Sequence, residues 1–270
     1  MLKTREQASA EKDASGLDGL MMTAGQPHYG APGTCLARRD SGIIFITGSL
    51  IQPAKLQLAA DLAKRDGCIL IALMPGIGLS SLSEAENLRL MLRFCDTIVF
   101  VDPIQGSPDP GPRLPYSDVA FAISEGLKDT SCRKPLRRML TRGQLARVSA
   151  ANSSSNVEEA LLKALRALLP VAEFSNRPQV FLSILGREID RKTLVRASRW
   201  VARAMRPIDI IVCSAQRSSQ ATASVYLLVT GIAFPYSPSS RKLSIDVDEL
   251  EPESDNDNGM DIRLGLDQME

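Results

Sequence analysis

The sequence predicts an α/β fold in which parallel strands alternate with covering helices, followed by a smaller α/β module. Three observations carry this. Apolar, β-branched runs recur between residues 43 and 101, with helical-period segments between them, which is the pattern of parallel crossovers. These runs are apolar throughout rather than alternating, as strands covered on both faces are. The same rhythm resumes near residue 180, after an interval without acidic residues.

Taken in order, Ile43 to Thr47 form the first strand. Pro53 suits the first turn of a helix, where its missing N–H costs nothing. Leu56, Leu58, Ala59, Leu62 and Ala63 give that helix its apolar stripe, and Gly67 is its stop. Cys68 to Leu73 form the second strand. Ser81 and Glu84 stand three apart as a capping box for a helix reaching about Phe94. Thr97 to Val101 form the third strand. Ser117 or Asp118 caps a helix carrying Val119, Phe121, Ala122 and Leu127. Asn156 caps a helix over Leu161, Leu165 and Leu168. Val180 to Leu185 form a strand, Asp190 caps a helix through Met205, and two strands follow at Ile208 to Cys213 and Ser224 to Val229. The expected organisation is a flexible segment over 1–40, a main domain over 41–142, a linker over 143–155, a second domain over 156–236 and an acidic disordered tail over 237–270.

Composition narrows the function. The chain has 270 residues and a net charge of +1. From Ile245 to Glu270 there are ten acids and one base, which leaves 21 acids against 31 bases in the rest. A near-neutral total thus hides a basic body and an acidic tail. Five scattered cysteines without a CxxC pair fit a reducing, cytoplasmic setting rather than a disulfide framework. No apolar run reaches the length of a membrane span. One Trp and few aromatics disfavour nucleic acid as a partner. A single histidine, His28 in the lead segment, leaves no Ser/His/Asp triad and no histidine-rich metal site.

The motifs add a resemblance. "RFCDTIVFVDP" has an Asp-Thr pair opening an apolar strand that ends in a loop. "PYSDVAFAISEGL" has an Ala-Phe pair followed by an acid. "MLTRG", "VFLSILGREIDRKTLVRASRWVARAM" and "ASVYLLVTGIAF" follow in turn. In this order they resemble the tubulin/FtsZ superfamily, FtsZ more than tubulin, from about residue 41 to 235. The resemblance implies an incomplete Rossmann-like tubulin/FtsZ nucleotide-binding domain plus a small α/β C-terminal domain. The family's first strands have no counterpart, so the sheet edge they leave must be covered by residues 1–40 or by a partner, unless upstream codons supply them.

The resemblance also shows what is missing. A Gly-rich phosphate loop should follow "IIFIT"; "GSLIQP" stands there, with one glycine, Gly48, beside Ser49. Amides cradle phosphates only where glycines let the backbone approach and turn. Gly76 and Gly78 fall in the ribose-side loop, where FtsZ carries Glu and Arg. Phe121 and Glu125 fall where the family packs and reads the guanine base. These six residues are the candidate relic nucleotide site; the alternative is an ordinary strand–helix turn, core packing and an exposed helix charge. The family's catalytic loop supplies two acids, but its place falls in the acid-free stretch from Thr130 to Val157. Water-positioning needs such an acceptor. No catalytic residue, metal or cofactor is therefore expected, and GTP is the one ligand the resemblance implies.

Two surfaces remain. Arg133, Lys134, Arg137 and Arg138 form a basic cluster that can meet an anionic partner, the chain's own acidic tail, or only solvent. Ile262, Leu264 and Leu266 lie in a C-terminal peptide similar to those by which FtsZ proteins reach membrane adaptors; the alternative is a featureless tail. The implied function is a non-hydrolysing regulator or accessory of a division or cytoskeletal filament, at the division site, with an FtsZ-like subunit or itself as partner. The alternative is an active, polymerising GTPase with diverged loops.

Overall fold

The computed structural model describes residues 36–40, 42–47, 53–76, 82–105, 115–141, 144–154, 156–168, 173–186, 189–216, 223–233, 241–242 and 263–264. Its strands are β1 (Leu36–Asp40), β2 (Ile43–Thr47), β3 (Ile69–Pro75), β4 (Thr97–Val101), β5 (Gln144–Ser153), β6 (Glu173–Gly186), β7 (Asp209–Gln216), β8 (Ala223–Ile232), β9 (Arg241–Lys242) and β10 (Arg263–Leu264). Its helices are α1 (Pro53–Asp66), α2 (Leu82–Met91), α3 (Tyr116–Lys128), α4 (Thr130–Leu140), α5 (Val157–Leu168) and α6 (Arg191–Met205).

All the described strands belong to one sheet, in the order β1-β2-β3-β4-β5-β8-β6-β7-β10, with β9 on β6. Strands β2 to β5 are mutually parallel, as the apolar runs require. Strand β8 runs antiparallel between β5 and β6 and joins the two halves. Helices α1 and α2 cover one face of the first half through Leu56, Leu62, Leu88 and Met91. Helices α5 and α6 cover the same role in the second half through Leu161, Leu165, Leu194 and Val201. Helices α3 and α4 lie on the opposite face, where Ile123, Leu127, Leu136 and Met139 share one core with Ile43, Val99, Phe181 and Ile211. This mixed, largely parallel α/β sheet is the expected fold class, and the α3–α4 layer spans both halves.

Three expectations are corrected. Residues 36–40, expected within a flexible lead, form β1, antiparallel to β2. The reason is the edge: β2 would otherwise leave a row of buried-strand amides open. Residues 143–155, expected as a linker, hold β5, with Leu145, Ala146, Val148, Ala150 and Ala151 buried. Its small side chains read as a linker in sequence but fit a strand beneath α5. The tail over 237–270 contributes β9 and β10 to the sheet. Two smaller differences concern helix ends. Helix α2 stops at Met91 rather than near Phe94. Helix α3 starts at Tyr116 after Pro115, without a side-chain cap, and Asp118 sits in its first turn. The Ser81 capping box lies outside the described residues.

The other punctuation behaves as its chemistry dictates. Pro53 opens α1, and Gly67 ends it at φ 62°, a left-handed conformation cheap only for glycine. The Asn156 side chain accepts from the Glu159 N–H at 2.7 Å. The Asp190 carboxylate accepts from the Thr193 N–H at 2.8 Å. The hydrogen bonds from Thr193 hold the Asp190 carboxyl below its usual range, so this cap stabilises above the ordinary Asp pKa and fades as pH falls.

Asp129 does double duty, ending α3 and capping α4. Its Oδ1 accepts from the Ser131 N–H at 2.9 Å, the Ser131 hydroxyl at 2.6 Å and the Cys132 N–H at 3.0 Å. Asp129→Ala should cost about 1–2 kcal/mol. The expected readout is a lower urea midpoint at unchanged slope; an unaltered midpoint would show that the α3–α4 corner is held by packing alone.

Candidate functional site

Open α/β sheets place ligands beyond the carboxyl ends of their parallel strands. Here that rim is formed by the ends of β2, β3, β4 and β5. Strand β2 ends at Thr47, and Gly48 and Ser49 lie outside the described residues. Strand β3 ends at Pro75 with Gly76 next; Gly78 also lies outside the described residues. Strand β4 ends at Val101 with Asp102 next.

Among the described residues, this rim holds an internal ion pair. Arg147, on β5, donates through Nε to Asp102 Oδ2 at 2.8 Å and through Nη2 to Asp102 Oδ1 at 2.7 Å. The same Nη2 donates to the Gly76 carbonyl at 2.8 Å. Both side chains are nearly buried, at 14% and 9% exposure for Arg147 and Asp102, so this is a charge pair held at reduced dielectric. A Cβ at Gly76 would overlap Asp102 Oδ1, so the close approach demands glycine here. The Gly76 N–H is already spent on the Val101 carbonyl at 2.8 Å. The β4–β5 pairing then continues past β4, with Asp102 N–H on the Val148 carbonyl at 3.1 Å and Gln105 N–H on the Ala150 carbonyl at 2.8 Å.

These described residues do not fit a phosphate. The glycine amide is committed, the glycine carbonyl faces a guanidinium, and the guanidinium's charge is matched by a carboxylate. Asp102, at the end of β4, takes its partner from β5. Sequence reasoning does not single out Arg147. The signal that could have found it is its position inside the apolar run "QLARVSAA", where a charge must be paired.

The Asp-Thr pair ahead of β4 is structural. Asp96 Oδ2 accepts from the Leu70 N–H at 2.8 Å, which ties β4 to β3. The Thr97 hydroxyl donates to the Leu140 carbonyl at 2.6 Å and so caps the end of α4. Phe121 is half-buried on α3, against the core that α3 and α4 share with the sheet. Glu125, four residues on, pairs with Lys128 at 2.7 Å. At the head of α3, burial pushes the Tyr116 hydroxyl up to about 12.

The basic cluster lies on α4, which buries Cys132, Leu136, Met139 and Leu140 and exposes Arg133, Lys134, Arg137 and Arg138. Two of the four are partly committed. Arg133 Nε donates to the Leu127 carbonyl at 2.8 Å, closing the end of α3. Arg137 Nη2 donates to the Gly67 carbonyl at 3.0 Å. Beneath this face, Cys132 Sγ lies 3.3 Å from the Val212 carbonyl, and its neighbour Cys213 is held protonated by the hydrogen bond to Cys132 and by burial. The pair is a buried, packed contact between α4 and β7. Of the C-terminal candidates, Leu264 lies in β10, while Ile262 and Leu266 lie outside the described residues. Among the described residues no cluster of three or more metal-ligating side chains occurs, and no helix is long and apolar enough to cross a membrane.

Comparison with known proteins agrees with the fold. FtsZ from M. jannaschii, in an empty dimer, is 17% identical, with a TM-score of 0.54 over 92% of this chain and 75% of that one. A point mutant of the same organism's FtsZ is 16% identical, with a TM-score of 0.52 over 87% of this chain and 74% of that one. At these identities the likeness establishes the fold, which is that of the tubulin/FtsZ proteins. No protein-family model and no curated protein sequence matches the chain.

Proposed function

We propose that this chain is a tubulin/FtsZ-fold protein that acts by binding rather than by turnover, as a regulator or accessory of a cytoskeletal or cell-division filament. The observation that carries the reading is β5. By resemblance, this stretch stands where the family's catalytic loop offers two acids to a neighbour's nucleotide. In this chain it is a strand inside the sheet, without a carboxylate, and its one charge, Arg147, is turned onto Asp102. A loop that has become a central strand cannot reach across a subunit joint. Of the relic positions that are described, Gly76 then serves its close approach to Asp102, Phe121 the core beside α3 and Glu125 an ion pair with Lys128. The partner is a filament subunit of the same fold or a second copy, met in the cytoplasm through the basic face of α4.

The second reading is an active GTP-binding, polymerising protein with diverged loops. It is favoured by the loops after β2 and β3, which leave the carboxyl ends of parallel strands, where phosphates bind in such sheets. Melting the purified protein with and without millimolar Mg-GTP separates the two. Binding at a hundredfold over Kd adds about 2.7 kcal/mol to stability, roughly 5–10 °C for a chain of this size. The proposed function expects no shift and no phosphate release; a shift of that size with turnover would reverse it.

A further inference from the structure

Helix α6 holds five bases and no acid, and Arg206 caps its end. Most of these charges fall on one line. Lys192, Arg196, Arg199, Arg203 and Arg206 are spaced by four and three residues in turn. On a helix that spacing keeps them within a stripe about 80° wide and about 20 Å long. Leu194, Ala197, Val201, Ala204 and Met205 are buried on the opposite side. The stripe therefore faces directly away from the sheet. Lys192, Arg196, Arg203 and Arg206 are exposed, and Arg199 is half-buried.

The acids of this layer do not cancel its charge. Glu158, on α5, pairs with Arg196 at 2.9 Å, and Glu159 pairs with Lys163 at 2.6 Å. Asp190 is the α6 cap. Residues 157–168 and 190–206 together hold eight bases and three acids, a net +5 by count. A field of that sign draws an anionic partner. Two apolar side chains say which kind. Trp200, the chain's one tryptophan, is half-buried at the border of the stripe, one turn from Arg196 and Arg203. Ile208 stands two residues beyond Arg206 and is 65% exposed. It continues the parity of Ile210 and Val212, which face the core beneath α6. A nucleic acid backbone offers nothing to an open isoleucine. An anionic bilayer suits both features, because guanidinium groups match phosphodiesters and Trp favours the headgroup level.

We propose that the outer face of α6, bordered by Trp200 and Ile208, is a docking surface for the anionic headgroups of a lipid bilayer. The cations supply attraction that salt screens, and the two apolar side chains enter the headgroup layer. Helix α4 packs on the other face of the sheet. A chain resting on lipid through α6 therefore turns the α4 face away from the bilayer, toward a protein partner. The inference stands apart from the proposed function, since it requires neither a nucleotide nor a filament.

Co-sedimentation of the full chain with vesicles tests it. Vesicles of phosphatidylcholine and phosphatidylglycerol, about three to one, should retain the chain, and phosphatidylcholine alone should not. Raising salt from about 0.1 M to about 0.5 M should weaken retention about tenfold or more. Emission from Trp200 should move to the blue on the bound chain and be quenched by lipids brominated in their acyl chains; as the one tryptophan, it reads α6 alone. The triple variant Lys192→Gln, Arg203→Gln, Arg206→Gln should bind about a hundredfold more weakly, each cation near such a surface contributing about fivefold. Ile208→Ser should weaken binding about fivefold. Lys134→Gln with Arg138→Gln, on α4, should change it by less than about twofold. Unshifted urea midpoints report that the variants are folded. Failure to bind the anionic vesicles would overturn the proposal, as would an unquenched Trp200 or an α4 pair that loses as much as the α6 triple. Mixed-sequence duplex DNA that displaces the vesicles at equal phosphate concentration would assign the face to nucleic acid and overturn it too.

Discussion

Replacing Arg147 with Met should lower stability by about 3–5 kcal/mol, the largest loss expected from any single charge in this protein. The substitution keeps the length of the stem but strands Asp102, which is nearly buried and takes both of its strong hydrogen bonds from that guanidinium. It also orphans the Gly76 carbonyl. The double variant Arg147→Met with Asp102→Asn should recover most of the loss, because no unpaired charge then remains. Urea unfolding of the two variants beside the natural protein reads this directly. A single variant within about 0.5 kcal/mol of the natural protein would mean that water already reaches the pair. The rim would then be open rather than sealed, and the case against a phosphate there would weaken.

Phe181→Ala should cost a similar amount, about 3–5 kcal/mol, for a different reason. Phe181 is 1% exposed and meets the one glycine that lets α3 approach the sheet. A Cβ on Gly126 would stand 2.6 Å from the Phe181 ring and 2.8 Å from Leu136. Gly126→Ala should therefore destabilise by about 1–3 kcal/mol through overpacking, although alanine is the better helix former by about 1 kcal/mol. The two substitutions should not add: alanine at 126 fills part of the cavity left by alanine at 181, so the double variant should be more stable than the sum predicts. Strict additivity would show that the helix and the strand do not bear on each other at this point. The contact matters because α3 and α4 form the one helical layer that covers both halves of the sheet.

Much of this protein is legible in its residues taken one neighbourhood at a time. Apolar runs such as Ile43–Thr47 and Thr97–Val101 have no other way to be buried than as central strands, and both form with those bounds. Caps at Asn156 and Asp190 and the stop at Gly67 follow from groups within four residues of each other, so they need no knowledge of the rest of the chain. The absence of acids across Thr130 to Val157 is likewise a fact of sequence alone, and it already weighs against assisted hydrolysis.

What the tertiary structure decided is where distant segments meet. Nothing local in "QLARVSAANS" says that it threads between β4 and β8 and turns two expected domains into one sheet. Nothing local pairs Arg147 with a carboxylate 45 residues earlier, or lays Leu264 beside Val212. Strand pairing and buried charge are satisfied by whichever partner the whole chain brings within hydrogen-bond reach. That choice belongs to the sheet, not to any stretch of it.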